Sequence, residues 1–234
     1  MNWECFDKIL LTNHIYTINN NSNLNIVLFG SCHMSTIGFM LNKLLDNKYN
    51  IHIIISWFFE KNGIENFDMN VINNKIKQII KISNVFIYHK HINDYGVDAT
   101  ILPNIVNDNC LKLMIPNYRF DYTNDNYSNS LHILEYNINN SDFPEFKFVI
   151  ENYKNIIFFN TKDHPTHYLL FLQSLAIFYR ILNTNDVIDV NRYYDNKCRN
   201  YFKTFNYIIL PGKEDITDEI SNKTGILKDA DYFD

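Results

Sequence analysis

The chain has 234 residues, 46% of them hydrophobic and 15% aromatic, with a formal net charge of −5. A domain of this length buries about 70% of its unfolded surface, so it folds without disulfides or a structural metal. Its Lys and Arg residues are scattered with no run of five, which excludes a basic groove for nucleic acid, and no apolar run reaches the roughly 18–20 residues of a membrane span.

The predicted elements alternate. Asn25–Gly30 is a short continuous apolar run that reads as a strand. Ile37, Met40, Leu41, Leu44 and Leu45 then follow helical spacing. Ile51–Ser56 is a second strand, and Ile72, Ile76, Ile79 and Ile80 trace a second helix. Asn84–Tyr88 is a third strand and Leu111–Ile115 a fourth. Residues 121–150 are polar and irregular and predict loops and helix. Asn155–Phe159 is a fifth apolar run, followed by a long stripe from Leu169 through Leu172, Leu175, Ala176 and Tyr179 to Leu182. Asp215–Asn222 reads as a helix that stops near Gly225, and the tail Asp229–Asp234 is acidic. Asn clusters at 19–25, 124–129 and 137–140 read as turns, because Asn bonds its own backbone and tolerates left-handed conformations.

Continuous apolar strands alternating with amphipathic helices predict an α/β fold: a three-layer, doubly wound, mostly parallel sheet. The expected organisation is a single domain over 1–234, with its core at about 25–212 and a C-terminal helix and acidic tail over 213–234. Cysteines at 5, 32, 110 and 198 form no CxxC pair and no metal-ligand spacing. Met1–Asp7 carries Glu4 and Asp7 and no apolar core, which predicts no signal peptide and reduced thiols in a cytoplasmic setting.

Ligands of such sheets bind at the carboxyl ends of the strands, where the strand order reverses. That rule singles out four segments. In the first, Gly30-Ser31-Cys32-His33 ends a strand and opens a helix. Gly30 permits a tight turn, the helix start favours thiolate at Cys32, and backbone N–H groups of the turn can hold an oxyanion. A structural reading also fits, since free Cys is among the most buried residue types. The second segment, Tyr88-His89-Lys90-His91, ends the third strand. The third is Pro116-Asn117-Tyr118, after the fourth. In the fourth, Asp163-His164-Pro165-Thr166-His167 follows the fifth apolar run, where a His could act as base toward Cys32. Helix capping by Asp163 or Thr166, with Pro165 at an early helical position, explains the same residues. His89, His91, His164 and His167 could in principle form a four-His metal site, but no carboxylate or Cys completes a familiar ligand set, so no metal is expected. Signatures of dinucleotide-binding, P-loop, α/β-hydrolase and zincin enzymes are absent.

Taken in order, these segments resemble the WcbI-type polysaccharide biosynthesis proteins, a family of acetyltransferases with an SGNH/GDSL-hydrolase-like fold. Val27–His33 is similar to the family's strand ending in Gly-Asn-Cys-Gln. Asn84–Lys90, with Asp94-Tyr95 beyond, is similar to its apolar run ending in Tyr-Gln-Pro. Met114–Phe120 is similar to a strand ending in Pro and an aromatic, and Asn160–Pro165 to a late His-Pro block. The four span about residues 25–183. Ser31 stands where the family has Asn, and His33 and His89 stand where it has Gln. Three residues before His164 is Thr161, where SGNH enzymes carry an Asp; a Cys–His dyad needs no such residue, because a thiol requires less activation than a hydroxyl.

The resemblance implies Cys32 as nucleophile and His164 as catalytic base, with Asp163 beside it. It also implies coenzyme A or acetyl-CoA as co-substrate and a sugar or glycan hydroxyl as acceptor. Gly30, Ser31, His33, His89, Lys90, Pro116, Asn117, Tyr118 and His167 would then form the oxyanion and substrate-binding surface. An SGNH-type esterase or thioesterase uses the same residues with water as acceptor. A degenerate ligand-binding member of the family is the third reading, and the oligomeric state stays open.

Overall fold

The computed structural model describes residues 15–19, 21–55, 74–89, 99–118, 127–153, 158–161 and 164–183. They divide into two compact units, one built from residues up to Ile115 together with the segment from Ser174, the other from Pro116–Gln173. The expected C-terminal helix at 215–222 lies outside the described residues.

The first unit is a mostly parallel α/β sheet. In chain order it holds β1 (Ile15–Ile18), β2 (Asn25–Gly30), α1 (His33–Leu44), β3 (Asn50–Ile55), α2 (Asn74–Lys81), β4 (Val85–His89), a 3-10 turn (Ala99–Asn104) and β5 (Leu111–Ile115). The strands lie in the order β1-β3-β2-β4-β5. β2 pairs in parallel with both β3 and β4, β4 pairs in parallel with β5, and β1 closes one edge antiparallel to β3. The four expected apolar runs from Asn25 to Ile115 thus become four neighbouring parallel strands. β1 is an addition: it has only four residues and exposes Thr17, so it lacks the continuous apolar signature.

Side chains alternate across the sheet. Val27, Phe29, Ile54 and Phe86 share one face and form a buried core with Ile76, Ile79 and Ile80 of α2 and with Leu102, Val106 and Cys110. The opposite face carries Ile51 and Ile53, against which α1 packs at Gly38. A Cβ at Gly38 would sit 2.7 Å from Ile53 Cδ1. Close packing therefore retains a glycine that costs about 1 kcal/mol of helix propensity relative to alanine.

At the amino ends of the strands, asparagines replace apolar residues. Asn25 Oδ1 accepts from Asn50 Nδ2 at 3.0 Å and from His52 Nε2 at 3.2 Å. This donor role at Nε2 leaves Nδ1 to accept from the Thr17 hydroxyl at 2.9 Å, tying β1 to β3. Burial pushes His52 below its ordinary value of 6.5. Above pH 6.5 neither the folded nor the unfolded chain holds the proton, and the stability is fully present. Below it the unfolded chain takes up a proton that the folded chain refuses, so stability is lost as pH falls toward the lowered folded value. Melting temperature is expected to drop between pH 7.5 and 5, about the ordinary titration point, and His52→Gln to flatten that drop. Equal slopes for the two proteins would remove His52 from this role.

The second unit is helical and aromatic. It contains α3 (Tyr127–Asn139), a 3-10 turn (Pro144–Lys147), α4 (Phe148–Asn152), β6 (Phe159–Thr161), β7 (His164–Pro165) and the start of α5 (His167–Ile181). Rings of Tyr118, Phe146, Phe148, Phe158 and Tyr168 follow one another with centroid spacings of 5.4–6.4 Å. Of the expected fifth strand, Asn155–Phe159, residues 155–157 lie outside the described residues. Phe159–Thr161 pairs antiparallel with His164–Pro165 in a separate two-stranded sheet. The chain reverses within a few residues, and Pro165 has no N–H to give to a central strand. Thr166 Oγ1 accepts the Leu169 N–H at 3.4 Å and caps α5, as the capping reading expected of Asp163 or Thr166.

Candidate active site at the end of the central strand

Numbered along the chain, the four parallel strands lie in the spatial order second, first, third, fourth. Neighbours of the first strand, β2, are therefore its successors on either side, and the order reverses between β2 and β4. This is the switch point at which open α/β sheets leave a crevice for ligands. Two of the four segments singled out in the sequence meet there: Gly30–His33 from β2 and His89 from β4.

Register brings them together. Phe29 pairs with Tyr88, so the next residues, Gly30 and His89, are side by side and share a face. His89 is 1% exposed, and its imidazole occupies the room that a side chain at Gly30 would need. The Ser31 backbone N–H donates to His89 Nδ1 at 3.4 Å. The His33 ring stands edge-on to His89 at a centroid distance of 6.0 Å and is itself buried.

Cys32 precedes the first residue of α1 and already has helical geometry, at φ −54° and ψ −24°. The turn is wound tightly: Met34 N–H donates to the Ser31 carbonyl and Ser35 N–H to the Cys32 carbonyl, both at 3.0 Å. No side chain caps this helix start, and its first turn carries no acidic residue. A helix start of this kind favours negative charge at the N–H groups of its first turn. Cys32 is half-buried, and neither it nor Cys110, the two described cysteines, is in a disulfide. Cys110 is different in kind. It is buried, with Sγ 3.4 Å from Ser83 Oγ, and burial pushes its thiol up against the smaller opposing effects of that hydrogen bond, Lys112 and the Phe86 backbone.

The remaining candidates belong to the second unit or lie outside the described residues. Pro116 is buried. Asn117 is half-buried, and its carbonyl accepts from Asn137 Nδ2 at 3.2 Å. Tyr118 is 1% exposed and its hydroxyl donates to Gln173 Oε1 at 2.5 Å. Burial, reinforced by Glu145, holds that phenol well above its ordinary range. Tyr118 is thus a packing residue of the aromatic core, a role its place after an apolar strand did not reveal. His164 stands in β7 and His167 opens α5. Lys90, His91 and Asp163 lie outside the described residues. Among the described residues, no group of three or more His, Cys, Asp or Glu side chains could hold a metal ion.

Sequence reasoning named Gly30, Ser31 and His89 singly but missed their mutual contact, which depends on strand register. It also missed Met34, whose Cε would meet a Cβ at Gly30 at 2.7 Å. The fold and site define a mixed α/β protein with a half-buried thiol at the switch point of a mostly parallel sheet. Compared with known proteins, the chain matches no family model, no curated protein and no solved structure.

Proposed function

We propose that this chain is an acyltransferase that moves an acyl group from a coenzyme A thioester to a sugar hydroxyl, with Cys32 as its nucleophile. The proposal includes an SGNH-like, three-layer arrangement of the sheet and its helices. One observation carries it: a half-buried thiol on the first turn of α1, at the carboxyl end of the central parallel strand where the strand order reverses. The donor set fits a thioester carbonyl. The uncapped helix start without acidic side chains favours the charge that develops on the carbonyl oxygen, and the Cys32 N–H is the proposed donor. Ser31 N–H is engaged by His89 and is not assigned that part.

In the proposed reaction Cys32 Sγ attacks the acyl carbonyl as a thiolate. The carbon–sulfur bond to coenzyme A breaks, and coenzyme A leaves as a thiolate. The acceptor hydroxyl then attacks the acyl-cysteine and gives its proton, through a base, to the coenzyme A thiolate; an ester forms and Sγ leaves as a thiolate. The resemblance carries the role of that base to His164, with Asp163 and His167 beside it, and substrate contacts to Lys90, Pro116 and Asn117.

A thermal-shift titration with coenzyme A and acetyl-CoA tests this reading. A ligand held at about 100 times its dissociation constant adds roughly 2.7 kcal/mol. For a chain of this size the melting temperature is expected to rise by roughly 5 °C or more. Hydrolysis of simple esters with no coenzyme A shift would turn the assignment to an esterase. Neither shift nor hydrolysis would reject acyl chemistry at this site.

A further inference from the structure

We infer that His89 is a positioning residue for Cys32: its imidazole, wedged beside Gly30, holds the Ser31 N–H and so sets the turn from which Cys32 enters α1. The inference rests on the thiol reading above and adds a part that the reading does not contain.

Two independent contacts support it. The first is the hydrogen bond from Ser31 N–H to His89 Nδ1 at 3.4 Å. An N–H donor requires a lone pair, so Nδ1 is unprotonated and the neutral ring carries its proton on Nε2. The second is steric. A Cβ at Gly30 would lie 2.7 Å from His89 Nδ1 and 3.1 Å from its Cγ. The ring, together with Met34 Cε, therefore fills the one place on β2 where a side chain is missing. His89 cannot retreat easily, because it ends a strand hydrogen-bonded on both sides, to β2 and to β5. Its neighbour Tyr88 points to the opposite face and stacks on Phe86 at 5.3 Å. The turn is thus pinned from β4, a strand more than fifty residues away in the chain.

The consequence for Cys32 is geometric. The Ser31 and Cys32 carbonyls accept the first hydrogen bonds of α1, so a rotation of the preceding Gly30–Ser31 peptide would carry Ser31 with it and re-aim the Cys32 N–H and thiol together. Holding the Ser31 N–H inward fixes the Gly30–Ser31 peptide, from which the Ser31–Cys32 peptide follows. It also separates two roles within the turn: the Ser31 N–H anchors, while the Cys32 N–H and Sγ are aimed for chemistry. A misplacement of about 1 Å at a reacting group can cost about a hundredfold, so an anchor one residue away has leverage on the thiol.

The test compares rates of Cys32 alkylation by iodoacetamide, read site by site by mass spectrometry, in the full chain and its variants. His89→Asn places an amide oxygen near the Nδ1 position and is expected to stay within about threefold of wild type. His89→Gln places its oxygen near Nε2, and His89→Leu offers no acceptor; both are expected to slow Cys32 by at least about tenfold. Gly30→Ala, which crowds the ring and Met34 Cε alike, is expected to do the same. Unchanged circular dichroism and continued protection of buried Cys110 mark a folded variant. The Asn and Gln variants differ by one methylene, so their contrast reads acceptor position even if the Leu variant fails to fold. In wild type, the 15N spectrum of the imidazole is expected to show Nδ1 as the unprotonated nitrogen, and a proton on Nδ1 would overturn the inference. A wild-type Cys32 no more reactive than Cys110 would overturn the thiol reading and this inference with it. A reactive Cys32 indifferent to all three His89 variants would overturn this inference alone.

Discussion

At pH 7 and limiting iodoacetamide, Cys32 is expected to be alkylated at least about tenfold faster than Cys110. The two thiols differ in burial and in place. Cys110 is buried among the core residues Val27, Phe86 and Leu102, with Ser83 Oγ at 3.4 Å and the Leu111 carbonyl at 3.6 Å from its sulfur. Burial pushes its thiol up, so the reactive thiolate is scarce at neutral pH. Cys32 is half-buried and stands at the start of a twelve-residue helix whose first turn has no acidic side chain. Alkylated protein is expected to lose the proposed acyl transfer in proportion to label at Cys32. Cys32→Ala is expected to lose it by about three orders of magnitude or more, the scale on which removal of a nucleophile acts. Similar labelling of both cysteines in the native protein would sink the idea of an activated thiol.

The second large effect concerns the core beneath that site. Phe86→Ala is expected to destabilise the protein by about 3–5 kcal/mol. Phe86 is fully buried on β4, against Val27 of β2 and the isoleucines of α2, and stacks on Tyr88. Removing the ring deletes apolar contact and leaves a cavity that strands paired on both sides cannot collapse to fill. That loss is a large share of the 5–15 kcal/mol typical of a folded domain, and lowers the melting temperature by roughly 6–20 °C. Tyr88→Ala acts at the half-buried margin of the same cluster, so it is expected to cost less. A calorimetric scan of Phe86→Ala within 2 °C of wild type, against the shift expected from its lost contacts, would mean that α2 does not rest on this face.

Much of the first unit was legible in the chain itself. The runs Asn25–Gly30 and Leu111–Ile115 appear as strands with the bounds read from sequence, because strands covered on both faces need continuous apolar residues and few polar interruptions. The helical stripe at Ile37–Leu45 corresponds to α1, and the described part of the second stripe, Ile76–Ile80, to α2; their apolar spacing follows from the side that meets the sheet. The strand-to-helix turn at Cys32 was legible for the same local reason: a glycine ends one periodicity and another begins at once. Asn19, in the first of the three Asn clusters, occupies a left-handed turn at φ 57°, whereas Asn137–Asn139 of the third cluster end α3.

Tertiary structure decided what depends on partners distant in the chain. β1 exists because β3 offers it an edge, not because Ile15–Ile18 carries a strong pattern. Phe158 and Phe159 had the composition of a buried strand, yet their burial is supplied by aromatic neighbours in the second unit, and Phe159–Thr161 pairs with His164–Pro165 alone. Tyr118, read as a rim residue, turns its hydroxyl to Gln173 in the interior. His89 and Gly30 were each visible as strand-end residues, but their contact follows from the parallel register of β2 and β4. Periodicity tells which face of an element is apolar; only pairing between strands tells which residue stands beside which, because register and strand order are set by the sum of long-range contacts.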